Sequence, residues 1–189
     1  MANRRAIRQL SDPGAHKALG HPLRQRILRH LGIHGPATST TLARALGENT
    51  GTLSYHLRQL EHNGFIEEIP ERSTGRERWW RQISADLRWP SAGEMDEESQ
   101  QLLDEITGSK VEEELELARR FFTDHRRYGD WAKTSRGLTH LNREELDEFF
   151  EAYMELLSRF SRTTEDASPG ARPLFLRFFS MPATEDPPS

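Results

Sequence analysis

Residues 48–65 read "ENTGTLSYHLRQLEHNGF". Wound at about 100° per residue, Leu53, Leu57 and Leu60 fall within roughly 60° of one another and form a stripe to bury. Gly51, Ser54, Tyr55, Arg58 and His62 take the opposite side. Asn49 or Thr50 can cap the start, and "NG" at 63–64 stops the helix and turns the chain. Solvated helix faces favour Glu and Lys, whereas this one carries short donors and acceptors, one aromatic ring and one Arg, with no acid at its centre. Those groups suit base edges: Ser and Thr bond to several of them, Thr and Tyr touch the thymine methyl, and Arg grips guanine O6 and N7. Gly51 costs about 1 kcal/mol against Ala inside a helix, which fits a close approach by another molecule. The competing reading is plain solvated surface, and the neighbouring segments decide between the two.

Upstream, "GAHKALG" (14–20) and "PLRQRILRHLG" (22–32) read as helices separated by "HP", with Pro22 suited to a first helical position. "HGPATST" (34–40) is a turn rich in N-cap residues, and "TLARALG" (41–47) is a short helix. A short helix, a tight turn at 47–49 and the 50–63 helix make a helix-turn-helix, whose second helix enters the major groove. Downstream, "FIEEI" (65–69) and "ERWWRQI" (77–83) read as two strands joined by "PERSTGR", a hairpin with a charged tip. Arg72 and Arg76 sit at that tip, with Arg78 and Arg81 beyond them. Such a wing can follow the phosphates or reach the minor groove. Trp79 and Trp80 face opposite sides of their strand, one toward the core.

The second half is different. "WPSAGEMDEES" (89–99) reads as a linker, and 96–128 as helix, interrupted near Gly108. "LNREELDEFFEAYMELLSRF" (141–160) is the clearest helix in the chain, with Asn142 and Glu145 spaced as a capping box. Leu146, Phe149, Tyr153, Leu156 and Phe160 recur by three and four, as in a helix-pairing seam. "LFLRFFSM" (174–181) is read as a final apolar strand, beside the wing or the 83–89 segment. "PATEDPPS" has the composition of a tail without fixed structure.

"LGHPLRQRILRHL", "TSTTLARALGENTGTLSYHLRQLEHNGFIEE" and "TGRERWWR" together resemble the ArsR-type winged helix-turn-helix repressors of bacteria. Ser54, His56, Leu57, Leu60, Gly64, Phe65 and Ile66 match that family's motif, and the resemblance spans roughly residues 12–85. It implies a dimeric, operator-binding regulator whose DNA affinity responds to an effector. By position it assigns DNA reading to Thr50, Thr52, Ser54 and Tyr55, and a packing or phosphate-facing place to His56. The second half departs from the family: it is long, acidic and helical, like a variant group with an added domain.

The chain's net charge of −4 is divided unevenly. Residues 1–90 hold 14 Lys/Arg against 8 Asp/Glu, a net +6, and residues 91–189 hold 12 against 22, a net −10. Only the first half is therefore suited to a polyanion. There is no Cys, so thiolate metal sites, disulfides and thiol switches are excluded. Asp124, His125 and His140 do not share a helix face, so no metal or other cofactor is expected. No run of 18 apolar residues occurs and the first residues lack a signal-peptide core, which reads as a cytoplasmic chain without membrane contact. The acidic clusters have the spacing of solvated helix faces, with no nucleophile or phosphate-loop motif, so the chain is not expected to be an enzyme.

The sequence thus predicts a mainly α fold with a small β-hairpin wing: a winged helix-turn-helix DNA-binding domain in 1–90 and a helical dimerisation or effector domain in 91–189. The DNA-binding set is Asn49, Thr50, Gly51, Thr52, Ser54, Tyr55, Arg58, Arg72 and Arg76. Candidates for the dimer or effector surface are Phe122, Trp131, Leu146, Phe149, Tyr153, Leu156 and Phe160. The partners expected are a double-stranded DNA operator, a second copy of the chain and a small-molecule effector. The alternative is a winged-helix protein-interaction module that never touches DNA.

Overall fold

The first half is held by leucines that the helical repeat sends to one side. The computed structural model describes residues 6–9, 13–75, 77–83, 85–88 and 96–183; for 6–9, 13, 85–88, 102 and 109 it describes the backbone alone. In chain order the elements are β1 (Ala6–Gln9), α1 (Pro13–Gly20), α2 (Pro22–His34), β2 (Ala37–Thr38), α3 (Ser39–Leu46), α4 (Thr50–His62), β3 (Ile66–Glu68), β4 (Trp79–Gln82), β5 (Ala85–Arg88), α5 (Glu97–Tyr128) and α6 (Arg143–Phe160). Short 3-10 turns follow β3 at Pro70–Arg72 and α5 at Gly129–Trp131.

Each helix of the first half starts and stops for a local reason. His21 caps α2 through Nδ1, which accepts from the Leu23 N–H, and Pro22 gives up no hydrogen bond at the first helical position. Thr38 caps α3 by accepting from Thr41 N–H. Gly47 ends α3 at φ 70°, a left-handed conformation that glycine adopts without strain. Ile27, Leu42, Leu53, Leu57 and Leu60 from α2, α3 and α4 are completely buried, joined by Ile66 and Trp80 from the sheet. Burying each such side chain contributes about 1.5–3 kcal/mol, so the α4 stripe fixes which face of that helix turns outward.

The sheet order is β2-β4-β3, all antiparallel, with Ala37 opposite Trp80 and Glu67 opposite Arg81. Sequence reading found the hairpin but missed β2, which makes β4 the central strand. Trp80 enters the core, while Trp79 is half-buried beneath the Arg72 guanidinium, 6.0 Å from its ring centre. The segment after the wing does not receive the C-terminal chain as expected. Instead β5 pairs in parallel with β1, Ala6 opposite Ala85.

Two further expectations need correction. Helix α5 runs unbroken through Gly108 for 32 residues, about 48 Å at the usual rise. Asp96 caps it by accepting from Ser99 N–H at 2.8 Å, and Ser99 and Ile106 bury its first turns near α1. Residues 174–181 form no strand: they belong to no regular element, and Phe178 stacks on α6 while Phe175 lies by Arg29 of α2. Helix α6 is capped as predicted, with Asn142 and Glu145 exchanging two hydrogen bonds at 2.8 and 2.9 Å. Residues 89–95 of the linker segment and residues 184–189 of the tail lie outside the described residues.

Candidate nucleic-acid interface

Helix α4 turns the expected face outward. Leu53, Leu57 and Leu60 are at 0% exposure, whereas Tyr55 is 56% exposed and Arg58, Thr50 and Gly51 are also exposed. Thr52 and Ser54 are half-buried. Asn49 accepts from Thr52 N–H at 2.8 Å, leaving the earlier N–H groups of the first turn for an outside acceptor. Ser54 Oγ donates to the Thr50 carbonyl at 2.7 Å. Among the described residues Arg58 makes no ion pair.

The turn before α4 is fastened from α2. Arg26 Nη2 donates to the Leu46 carbonyl at 2.5 Å, and Nη1 lies 3.3 Å from the Glu48 carboxylate. One guanidinium thus ties the end of α3 to the start of the α4 turn. Sequence reading missed this fastening, since Arg26 and Glu48 are far apart along the chain. The inner flank of α4 carries His56, which is buried with its ring centre 4.3 Å from that of His21. His56 is therefore a packing residue. Burial holds it below the usual histidine range, helped by His21 and Arg24 and opposed by Glu48. His21 is likewise lowered, by burial and then by Arg24. Arg24 is itself buried and donates to the Lys17 and Ala18 carbonyls at the end of α1, where the helix dipole is negative.

A groove of about 390 Å³ opens between the start of α3, the outer flank of α4 and the wing. Thr38, Ser39, Thr40, Ser54, Arg58, Glu77, Arg78 and Trp80 line it. Its hydroxyls and guanidinium groups give a polar, partly cationic wall beside the reading face. The α3 hydroxyls were not among the predicted site residues, although the N-cap pattern at 38–40 marked their position.

The wing is less basic in practice than its composition. Arg78 is held by Glu68, at 2.6 Å from Nε, and by Glu61 at 3.2 Å, and it lies 4.5 Å over the Trp80 ring. The Arg78 bond is the largest influence holding the Glu68 carboxyl below its usual range. Arg81 is paired with Glu67 at 2.7 Å across the hairpin. Arg72 is exposed on its 3-10 turn and reaches Glu165 from the C-terminal half, Nη2 to Oε1 2.7 Å. Arg76 lies outside the described residues.

The predicted dimer or effector residues do not converge on one cluster. Phe149 and Tyr153 meet the Phe178 ring at 5.7 and 5.0 Å. Phe122 lies under Arg136 and Trp131 under Arg172. Leu146 is half-buried, and Leu156 and Phe160 are 53% and 68% exposed. In a single chain the α6 seam is therefore not core. Among the described residues no group of three His, Asp or Glu side chains is placed to hold a metal ion, and no helix is long and apolar enough to cross a membrane.

Residues 19–69 match the family model described as a helix-turn-helix domain. The chain therefore carries a helix-turn-helix domain, which with its antiparallel wing has a winged helix-turn-helix fold. Among solved structures it is similar to the homodimeric winged helix-turn-helix DNA-binding domain Mb0332 from Mycobacterium bovis, described as a possible ArsR-family regulator, at 24% identity over 52% of this chain and 78% of that one, TM-score 0.34. It is also similar to reduced HlyU from Vibrio cholerae, at 21% identity over 38% and 70%, TM-score 0.33. A mutant MepR from S. aureus bound to an oligodeoxyribonucleotide matches at 18% identity over 79% of each chain, TM-score 0.28. At these values the likeness is of fold alone. No curated protein matches the chain.

Proposed function

We propose that this chain is a sequence-specific, homodimeric DNA-binding regulator, a repressor whose operator affinity is set by a small-molecule effector acting through its C-terminal half. The observation that carries the reading is the outward face of α4: Tyr55 and Arg58 stand exposed beside a hydroxyl-lined groove while the leucines of the same helix are fully buried. In this reading residues 50–58 enter the major groove, Asn49 and the first turn of α4 face a phosphate, and Arg72 and Arg76 reach the backbone or minor groove. The hydroxyls of Ser39 and Thr40 lie where the flanking phosphates would pass. Residues 1–90 act as the DNA-binding unit and 91–189 as the dimerisation and sensing unit, with α5 and α6 supplying the exposed apolar seam.

The test is substitution on the reading face. Ser54→Ala and Tyr55→Ala should each weaken binding to a selected operator duplex by about 1–3 kcal/mol while leaving binding to scrambled duplex nearly unchanged. Equal losses on both duplexes would remove base reading from α4.

A further inference from the structure

We propose that the C-terminal arm, residues 161–183, is a built-in competitor for DNA, because Glu165 occupies the wing guanidinium of Arg72 that would otherwise meet a phosphate. The proposal rests on the DNA-binding reading above and adds a device within the chain that lowers its affinity.

Glu165 is delivered to the wing by a chain of specific contacts. Ser161 Oγ donates to the Leu157 carbonyl at 2.9 Å, closing α6, and Thr163 and Asp166 exchange bonds at 2.7 and 3.2 Å that fix the turn between them. Thr164 packs against Gly35, at the end of α2: a Cβ placed there would stand 3.2 Å from the Thr164 Cβ. That contact sets Glu165 at 2.7 Å from Arg72. Further along, Phe175 lies by the Arg29 guanidinium, 5.8 Å away, and Arg177 grips Glu114 of α5 with two bonds at 2.6 and 2.9 Å. Phe178 then stacks on Tyr153 of α6. The arm is held on both sides of Glu165, so its carboxylate is kept at high local concentration beside the wing.

Charge gives the contact its consequence. Arg78 and Arg81 are neutralised by Glu61, Glu67 and Glu68, all from α4 and β3. Among the described residues Arg72 is the wing cation whose carboxylate partner comes from the acidic half. Glu165 also adds to the field that raises Arg81, after the larger effect of its bond to Glu67. The Arg72 and Glu165 side chains are 48% and 38% exposed, so a phosphate can exchange for the carboxylate without opening the core. An exposed pair of this kind shifts a competing equilibrium by at most about fivefold, which suits a tuning device rather than an absolute block.

The experiment uses the full chain and a labelled random-sequence duplex of about 30 base pairs, three helical turns. Glu165→Gln should bind it about two- to fivefold more tightly per wing at low salt, with the gain fading as salt rises. Arg72→Ala should bind more weakly, and adding Glu165→Gln to Arg72→Ala should give no gain. Equal binding by Glu165→Gln and the parent chain, with the parent binding in a salt-dependent way, would overturn the competitor alone. The same gain with and without Arg72 would also overturn it, since Glu165 would then act as diffuse charge. Absence of any duplex binding by all four proteins would overturn the DNA reading and the competitor with it.

Discussion

Ser54 has already given its hydroxyl proton to the Thr50 carbonyl, and that bond narrows what it can read. Its oxygen is left as an acceptor, suited to the exocyclic amino groups of adenine or cytosine. Gly51 also has a local explanation that the sequence did not suggest. A Cβ there would come within 3.3 Å of the Asn49 oxygen that caps α4, so glycine leaves room for the cap. The contact between exposed His21 and buried His56 has a testable consequence of its own. His21 and His56 face Arg24, Glu48 and the edge of the Tyr55 ring, and both are held below the ordinary value of 6.5, chiefly by burial. As pH falls, the unfolded chain takes up these protons before the folded chain does. The stability they contribute is whole above about pH 6.5 and is lost as pH drops toward the lowered folded values. The urea midpoint should therefore fall between about pH 7 and pH 5, and His56→Gln should flatten that fall. A midpoint equally steep in His56→Gln would show that the loss comes from other groups.

Helix α6 has strong local signals, a reciprocal cap and apolar residues by threes and fours, and it was readable from sequence to within two residues of its start. What was not readable was the absence of a partner for its seam within the chain. Leu156 and Phe160 stay exposed, and so do Val111, Leu115 and Phe122 of α5. A second copy is the occupant our reading assigns, so Leu156→Glu together with Phe160→Glu should halve the mass seen in sedimentation while leaving helical content unchanged. Unchanged mass in that variant would place the dimer contact elsewhere. The errors elsewhere have equally local causes. In the sequence Gly108 suggests a break, yet its cost of about 1 kcal/mol is small within so long a helix. "LFLRFF" is a short apolar run like that of a buried strand, but both edges of β4 are already taken by β2 and β3, and the Phe178 ring finds α6 instead. The β1–β5 pair joins four-residue segments far apart in sequence, which no local pattern announces.

The division of charge along the chain becomes spatial once folded, because the acidic half returns to the wing at Glu165 and to α2 through Glu113, which pairs with Arg29. The winged helix-turn-helix was legible because stripe, caps and turn all agreed over residues 22–69. The candidate site was legible where it depended on helix periodicity, as for Tyr55 and Arg58. It was illegible where distant side chains meet, as for Arg26 with Glu48 and Arg72 with Glu165. The Glu67–Arg81 pair falls between these cases, since the hairpin register alone places the two opposite each other. The account stands on α4 reading base edges. The most direct measurement is the affinity of the purified full chain for a duplex enriched by repeated selection from random sequence, against a scrambled duplex of the same composition, over a range of salt. We predict at least about a thousandfold preference for the enriched duplex, with affinity for both falling as salt rises. Equal affinity for the two duplexes, or binding indifferent to salt, would contradict it.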